Sequence, residues 1–235
     1  MKNKYYIIVY ILILCICNGL NAQNYLKKAK SGNVQAQMKL AEQYYTGIGE
    51  LKDYKQALIW YEKAAKNGNV DAMYQVATMK ESGQGCETNV REAFNSYLKA
   101  AERGNFLSQL KVANMFETGE GTTKSDARAY LWYRVCAEKD DIMACRKLGD
   151  YYLNGNIVGK DHNEARYWYE KALNIAELKA KKEVSIANYA QELIITLENI
   201  AKIYTADEGI APNEAKANEY LKEAEEIKHF IEQKR

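Results

Sequence analysis

The feature that most constrains this sequence is a repeat of 36 residues that runs four times without a gap. Glycine, alanine and tyrosine each recur at this spacing: Gly47, Gly83, Gly119 and Gly155; Ala57, Ala93, Ala129 and Ala165; Tyr61, Tyr97, Tyr133 and Tyr169. A period of roughly 20–50 residues is typical of stacked supersecondary units. The repeat therefore predicts the architecture before any catalytic or binding residue is considered.

Each repeat carries two helical patterns. In the first pattern, residues such as Leu40, Ala41 and Tyr44 fall on one face of a helix, which ends at the repeat glycine. The second pattern begins after a residue whose side chain can cap a helix N-terminus, and it continues with alternating alanines and aromatics. The predicted caps of the second helices are Asp53, Asn89, Ser125 and Asp161.

We predict an all-α fold over residues 23–235, a right-handed superhelix (α-solenoid) of stacked antiparallel helix pairs with about five repeats. Four repeats span residues 33–68, 69–104, 105–140 and 141–176, and a degenerate fifth spans 193–228 behind an insertion of 16 residues. The insertion contains no Gly or Pro. We therefore expect it to lengthen the helices on both sides, with a bend around Lys182–Ser185 and a helix boundary that the sequence leaves open within 174–192.

Residues 1–22 differ in character from the rest of the chain. Lys2 and Lys4 precede an apolar run that ends at Cys17, and Ala22 offers a small residue for cleavage. This pattern is typical of a secretory signal peptide, and the apolar run is shorter than the roughly 20 residues that span a bilayer. We expect export to the periplasm or beyond the cell, and the alternative is an uncleaved leader that attaches the protein to a membrane.

The charge balance argues against polyanionic partners. Removal of the leader takes away two lysines and no acid, so the remaining chain has a formal net charge of zero. A neutral chain without a basic block is not expected to bind nucleic acid or anionic membrane surfaces.

The sequence offers few candidates for catalysis. His162 and His229 are its two histidines, and neither has a second ligand at metal-binding spacing. Residues 119–125 differ from a phosphate-binding loop because Lys124 does not follow a glycine and no strand leads into the segment. No Gly-x-Ser-x-Gly motif is present. We therefore predict no enzyme activity, no metal and no cofactor.

The repeat residues carry a resemblance to a known family. The first repeat shows nearly all of its pattern: Ala36, Leu40, Ala41, Tyr44, Gly47, Gly49, Asp53, Ala57, Trp60, Tyr61, Ala64 and Ala65. This pattern resembles the Sel1-like repeat family, which is related to the tetratricopeptide repeats. The similarity extends over about Gln23 to Ile231 and is broken at Lys80, at Ser96, and at Asn156 and Ile157, which replace the second connector glycine. It implies a scaffold or adaptor for other proteins.

The cysteines bear on a second function that the resemblance implies, namely the binding or hydrolysis of β-lactams. Some secreted, cysteine-rich relatives join neighbouring repeats by a disulfide, and some have been linked to penicillin binding or hydrolysis. The resemblance would place the partner of Cys136 at Ala144, whereas Cys145 stands one residue later, a rotation of about 100° around a helix. We favour buried free thiols, and a bond between Cys136 and Cys145 is the alternative.

A partner would bind in the inner groove that the first helices of a solenoid line. The predicted groove residues are Glu42, Tyr45, Asp71, Tyr74, Glu81, Asn114, Glu117, Arg146 and Asp150. Five of them are acidic and one is basic, so we predict binding of a basic or hydrogen-bonding protein or peptide. The alternative is a generic solvated face.

We therefore predict an exported monomeric repeat protein that acts as a protein–protein interaction scaffold or adaptor. The alternatives are a β-lactam-binding or hydrolysing enzyme, as suggested for the cysteine-rich relatives, and a structural component of a surface assembly. No pattern in the sequence selects the partner or the pathway, or distinguishes the periplasm from the extracellular space.

Overall fold

The computed structural model describes residues 25–48, 52–181, 190–206 and 212–233, without the side chains of residues 180 and 181. Within these ranges the chain forms helices and no strand. The predicted leader, Gly49 and the bend at Lys182–Ser185 lie outside the described residues.

The chain divides into two compact units, Met1–Ser108 and Gln109–Arg235. Residues 25–30 are helical and come first in the described part of unit one. They are followed by α1 (Val34–Thr46), α2 (Tyr54–Lys66), α3 (Val70–Ser82) and α4 (Val90–Glu102); α5 (Phe106–Thr118) crosses the boundary, and the second unit continues with α6 (Asp126–Ala137), α7 (Ile142–Asn154), α8 (His162–Lys181), α9 (Ala190–Thr205) and α10 (Glu214–Glu232). Odd-numbered helices are the first helices of a repeat and even-numbered helices are the second.

The second helices begin where the sequence predicts. In each of the four predicted caps, and in the fifth repeat, a side-chain oxygen accepts a hydrogen bond from a backbone N–H in the first turn: Asp53, Asn89, Ser125, Asp161 and Asn213. The prediction of these caps is confirmed. The first helices have caps that the sequence analysis missed, namely Asn33, Asn69, Asn105 and Asp141. Side-chain capping satisfies backbone donors that a helix leaves unpaired at its start.

The two helices of each repeat are joined by a backbone hydrogen bond. The first helix ends at Gly47, Gly83, Gly119 or Gly155, each with a positive φ that an L side chain rarely adopts. The N–H of the following second-helix cap then donates to a carbonyl of the first helix, and the accepting residues are Tyr44, Lys80, Phe116, Tyr152 and Tyr204. We call this contact the hairpin bond, and it is present in all five repeats.

Alanine and tyrosine fill the space between the helices. The repeat alanines at positions 57, 93, 129 and 165 are fully buried. The repeat tyrosines at positions 61, 97, 133 and 169 are at most 5% exposed. Small residues let helix backbones approach closely, and the buried rings supply the apolar area that stabilises each pair. The expected core role of these residues is confirmed.

The insertion lengthens the helices on both sides of it, as expected. Helix α8 has 20 residues, whereas the earlier second helices have 12 or 13. Helix α9 has 16 residues, whereas the earlier first helices have 13. Helix α9 packs against both α8 and α10. Tyr169, Ile200, Tyr204 and Ala217 meet in one buried cluster, so the fifth repeat shares a core with the fourth.

Candidate functional site

Tyrosines of the second helices hold acidic residues of the first helices. The hydroxyl of Tyr97 donates to Glu81 over 2.8 Å, that of Tyr133 to Glu117 over 2.8 Å, and that of Tyr169 to Asp150 over 2.7 Å. In each case the acid belongs to the same repeat as the tyrosine. We call these three contacts the tyrosine–carboxylate pairs. They fix the carboxylates in place on the first-helix side of the repeat.

The acid in these pairs occupies either of two helix positions. Glu81 and Glu117 are equivalent in the repeat, whereas Asp150 stands one helical turn earlier, at the position of Glu42. Residues three or four positions apart lie on the same helix face, so the tyrosine hydroxyl can reach an acid at either place. The tyrosine–carboxylate pair is therefore kept in all three repeats, although the acid occupies a different sequence position in the fourth repeat.

Burial keeps the tyrosine hydroxyls protonated. Burial and the nearby carboxylate raise the pKa of Tyr97, Tyr133 and Tyr169 well above its usual range. Burial, followed by the charge of Glu42, raises the pKa of Tyr61 to about 12. A protonated phenol can donate but is a poor proton source, so these groups orient carboxylates rather than provide acid catalysis.

In the first unit, the predicted groove residues are partly engaged with their own chain. Glu42 and Asp71 are exposed, and Asp71 accepts a hydrogen bond of 3.3 Å from Asn105. The ring of Tyr45 packs edge-on against Tyr61, with 6.5 Å between centroids. Tyr74 packs against Tyr97 at 5.8 Å. The two tyrosines thus serve the helix pairing, while Glu42 and Asp71 present charge to solvent.

In the second unit, the predicted residues form a charged network. Besides its tyrosine, Glu117 accepts from Lys147 over 2.8 Å. Asp150 also accepts from Asn199 over 3.0 Å and is 2.6 Å from the guanidinium of Arg146. Asn114 is partly buried beside Tyr133. These contacts draw α5, α6 and α7 together, and they link α7 to α9.

Arg146 does not lie on an open face, contrary to the prediction. Its side chain is 9% exposed and pairs with both Asp150 and Glu192. Burial opposes the charge on the guanidinium, but the two carboxylates outweigh it and raise the pKa of Arg146. The sequence analysis missed this arrangement because Glu192 lies in the insertion, where no repeat register predicts its position.

The three cysteines of the described residues are free thiols. Cys136 and Cys145 are buried, and Cys86 is half-buried. Burial raises the pKa of both Cys136 and Cys145 to about 12, so neither forms a thiolate at neutral pH. The interpretation as buried free thiols is confirmed for this pair.

Among the described residues, no group of His, Cys, Asp and Glu side chains is arranged to hold a metal ion. None of the helices in the same ranges combines the length and the apolar character needed to cross a membrane.

Comparison with known families identifies the family to which these repeats belong. The sequence profile described as "Sel1 repeat" matches residues 34–69, 70–105, 107–141, 142–174 and 198–228. The chain belongs to the Sel1 repeat family. Sel1 repeats generally serve as scaffolds for protein–protein interaction and are typically non-catalytic. The predictions of the family and of an all-α solenoid with about five repeats are thereby confirmed.

Solved structures of Sel1 repeat proteins are similar to this chain. A Sel1 repeat protein from Oxalobacter formigenes is 28% identical, with a TM-score of 0.67 over 88% of this chain and 84% of that chain. The structure of c5321, described as a protective antigen of uropathogenic Escherichia coli strains with an SLR fold, is 24% identical with a TM-score of 0.60. The match covers 86% of this chain and 48% of that one, so this chain spans about half its length. No curated protein matches the sequence.

Proposed function

We propose that this Sel1 repeat protein is an exported scaffold or adaptor that binds a partner protein through its first helices. The family generally mediates protein–protein interaction, which supports the class of function.

The observation that carries the choice of surface is the set of tyrosine–carboxylate pairs. Each pair holds a carboxylate in a fixed position with a charge-assisted hydrogen bond of 2.7–2.8 Å. Acceptors that are already oriented lose little conformational entropy when a partner binds. A first-helix surface with such acceptors is therefore better prepared for recognition than one with mobile side chains.

The exposed charge of the first helices favours a basic or hydrogen-bonding partner. Glu42 and Asp71 are exposed in the first unit. Arg146, the single basic residue of the predicted groove, is neutralised by Asp150 and Glu192. Complementary charge accelerates association and disfavours partners of the same sign.

Charge reversal tests this surface. The tagged protein is affinity-purified from its own cells after crosslinking, and the same is done with the double variant Glu42→Lys, Asp71→Lys. Both residues are exposed, so the substitutions leave the core intact. Glu102→Lys on the second helix α4 is the matched control, since Glu102 is also exposed. Partners lost from the double variant and kept by the control support the proposal, and unchanged partners contradict it.

Export is tested separately. The proposal of a cleaved leader over residues 1–22 predicts that the protein recovered from the periplasm or the medium begins at Gln23. N-terminal sequencing of each cell fraction decides this. A chain that retains Met1 in the cytoplasmic fraction contradicts export.

A further inference from the structure

The second unit contains a polar cavity that the tyrosine–carboxylate pairs do not account for. Its volume is about 160 Å³, and it lies where the connector between α5 and α6 meets the C-terminal half of α7. The side chains that line it include Glu117, Lys124, Asp126, Lys147, Asp150 and Tyr151. Polar residues dominate this lining, so the cavity suits a polar or charged group.

Tyr151 lines this cavity, and its hydroxyl is buried without a hydrogen-bond partner among the described residues. The whole residue is 7% exposed, and its ring is held edge-on against Tyr130 with 5.6 Å between centroids. Buried hydroxyls in proteins are nearly always paired, because an unpaired one loses its hydrogen bonds with water and gains none. A group that enters the cavity can supply the missing partner.

The charges around this hydroxyl favour a cation. Burial raises the pKa of Tyr151, and the carboxylates of Glu117, Asp126 and Asp150 raise it further. A positive charge placed beside the hydroxyl is stabilised by the same three carboxylates. Two lysines also line the cavity, but Lys147 is paired with Glu117, so Lys124 is the cation with which an incoming positive charge competes.

Asp126 is the carboxylate best able to accept a new partner. Glu117 already accepts from Tyr133 and Lys147, and Asp150 is paired with three groups. Within the described part of the chain, the contact made by the carboxylate of Asp126 is with Lys124, at 3.7 Å. The side chain of Lys124 is 62% exposed, and such exposed pairs are weak. An incoming cation can therefore displace Lys124.

We propose that this cavity receives the guanidinium group of an arginine side chain of the partner protein, which displaces Lys124 from Asp126. The inference rests on the proposed function as a scaffold. A guanidinium presents five N–H donors in one plane, which suits a carboxylate and a second acceptor at the same time. Tyr151, Asn154 and Asn156 also line the cavity. The hydroxyl of the tyrosine and the side-chain carbonyls of the asparagines are the further acceptors in this proposal.

Small probes test the cavity without the partner. N-acetyl-arginine amide is titrated into the isotope-labelled protein, and the side-chain amide signals of Asn154 and Asn156 are followed by NMR. N-acetyl-citrulline amide has nearly the same shape without the charge, so we expect it to bind about tenfold more weakly. N-acetyl-glutamate amide is the anionic comparison, and we expect no shift of these signals.

Three variants are expected to change the affinity for the arginine probe, two by weakening binding and one by strengthening it. Asp126→Asn and Tyr151→Phe each remove one acceptor, so we expect each to weaken binding about fivefold to tenfold. Lys124→Ala removes the competing cation, so we expect severalfold tighter binding. Tyr167→Phe, an exposed tyrosine of α8 outside the cavity lining, is the control and should leave binding unchanged.

The outcomes separate this inference from the proposed function. Absence of arginine-probe binding, or binding of the glutamate probe that weakens in Lys124→Ala, overturns the arginine site. Capture of the crosslinked partner by the double variant Asp126→Asn, Tyr151→Phe at wild-type level also overturns it, while the scaffold function stands. Loss of capture in that variant, with capture retained by Tyr167→Phe, supports the site.

Discussion

The hydroxyl of Tyr169 on α8 donates a hydrogen bond of 2.7 Å to Asp150 on α7, across 19 residues of sequence. The same carboxylate accepts from Asn199 on α9 and pairs with Arg146. One acid therefore ties together both helices of the fourth repeat and the first helix of the fifth.

Loss of a paired tyrosine hydroxyl should destabilise the protein. We expect Tyr169→Phe to lower the free energy of unfolding by about 2 kcal/mol, because a buried hydrogen bond to a charged group is lost and a carboxylate oxygen loses a donor. Tyr151→Phe is the matched control, since its hydroxyl has no partner in the described chain, and we expect a change within about 0.5 kcal/mol. Urea denaturation of both variants measures the difference, and equal losses would contradict the assignment.

Removal of Arg146 should be far more damaging than removal of an exposed arginine. Arg146→Ala leaves Asp150 and Glu192 without their common cation, and breaking a buried ion pair costs about 3–5 kcal/mol. Arg134 also pairs with an acid four residues later, but its side chain is 56% exposed. We expect Arg134→Ala to cost about 0.5 kcal/mol. Thermal denaturation of the two variants should show a large and a small shift, and similar shifts would refute the buried network.

Helices α7 and α8 should not accept a methyl group at Gly149. An added Cβ would lie 2.4–2.8 Å from three ring atoms of Tyr169. Overpacking costs about 1–3 kcal/mol, and the better helix propensity of alanine returns about 1 kcal/mol. We therefore expect Gly149→Ala to lower the unfolding midpoint, and Gly159→Ala, where a Cβ meets no atom within 4 Å, to leave it unchanged or raise it. A rise for Gly149→Ala would show that the two helices can move apart.

The thiols should differ in reactivity. Because burial raises the pKa of Cys136 and Cys145 to about 12, both stay protonated and inaccessible at pH 8. Cys86 is half-buried, so it should be alkylated first, although burial raises its pKa as well. For the chain without residues 1–22, intact mass after iodoacetamide treatment should show modification of Cys86 in the native protein and of Cys86, Cys136 and Cys145 in urea. Alkylation of Cys136 in the native protein would contradict the burial.

Stability should fall at alkaline pH. A tyrosine ionises near pH 10 in the unfolded chain, whereas Tyr61, Tyr133 and Tyr169 remain protonated in the folded state because their pKa is raised. Their contribution is therefore complete below pH 10 and declines as the pH rises further, by about 1.4 kcal/mol per pH unit for each tyrosine.

Unfolding midpoints at pH 8, 10 and 11 measure this decline. The slope should be shallower for Tyr169→Phe and unchanged for Tyr167→Phe, because Tyr167 is exposed. Equal slopes in the two variants would argue against the raised pKa of Tyr169.

The repeat period predicted the architecture because it is a property of the whole chain. Capping residues and repeat alanines occur at a constant spacing, and each needs only its local helix to act. The caps Asn33, Asn69, Asn105 and Asp141 occur at the same spacing, and they are a start signal for the first helices that the sequence analysis missed.

The contacts of the candidate site were less predictable because they join residues that occupy different positions of the repeat. The acid that pairs with the tyrosine occupies one position in Glu117 and another in Asp150. Glu192 and Asn199 contribute from helix α9, whose position follows an insertion without repeat register. Sequence spacing shows which residues share a helix face, but it does not show which side chains meet across two helices.

The hairpin bond has a consequence for how such proteins diversify. Its donor and acceptor are both main-chain atoms, so any amino acid other than proline at the donor can make it. Lys80 occupies the accepting position in the second repeat, where other repeats have an aromatic residue, and the loop closes there in the same way. The side chain at the accepting position can therefore change during evolution, one repeat at a time, while the two helices of that repeat keep their connecting hydrogen bond.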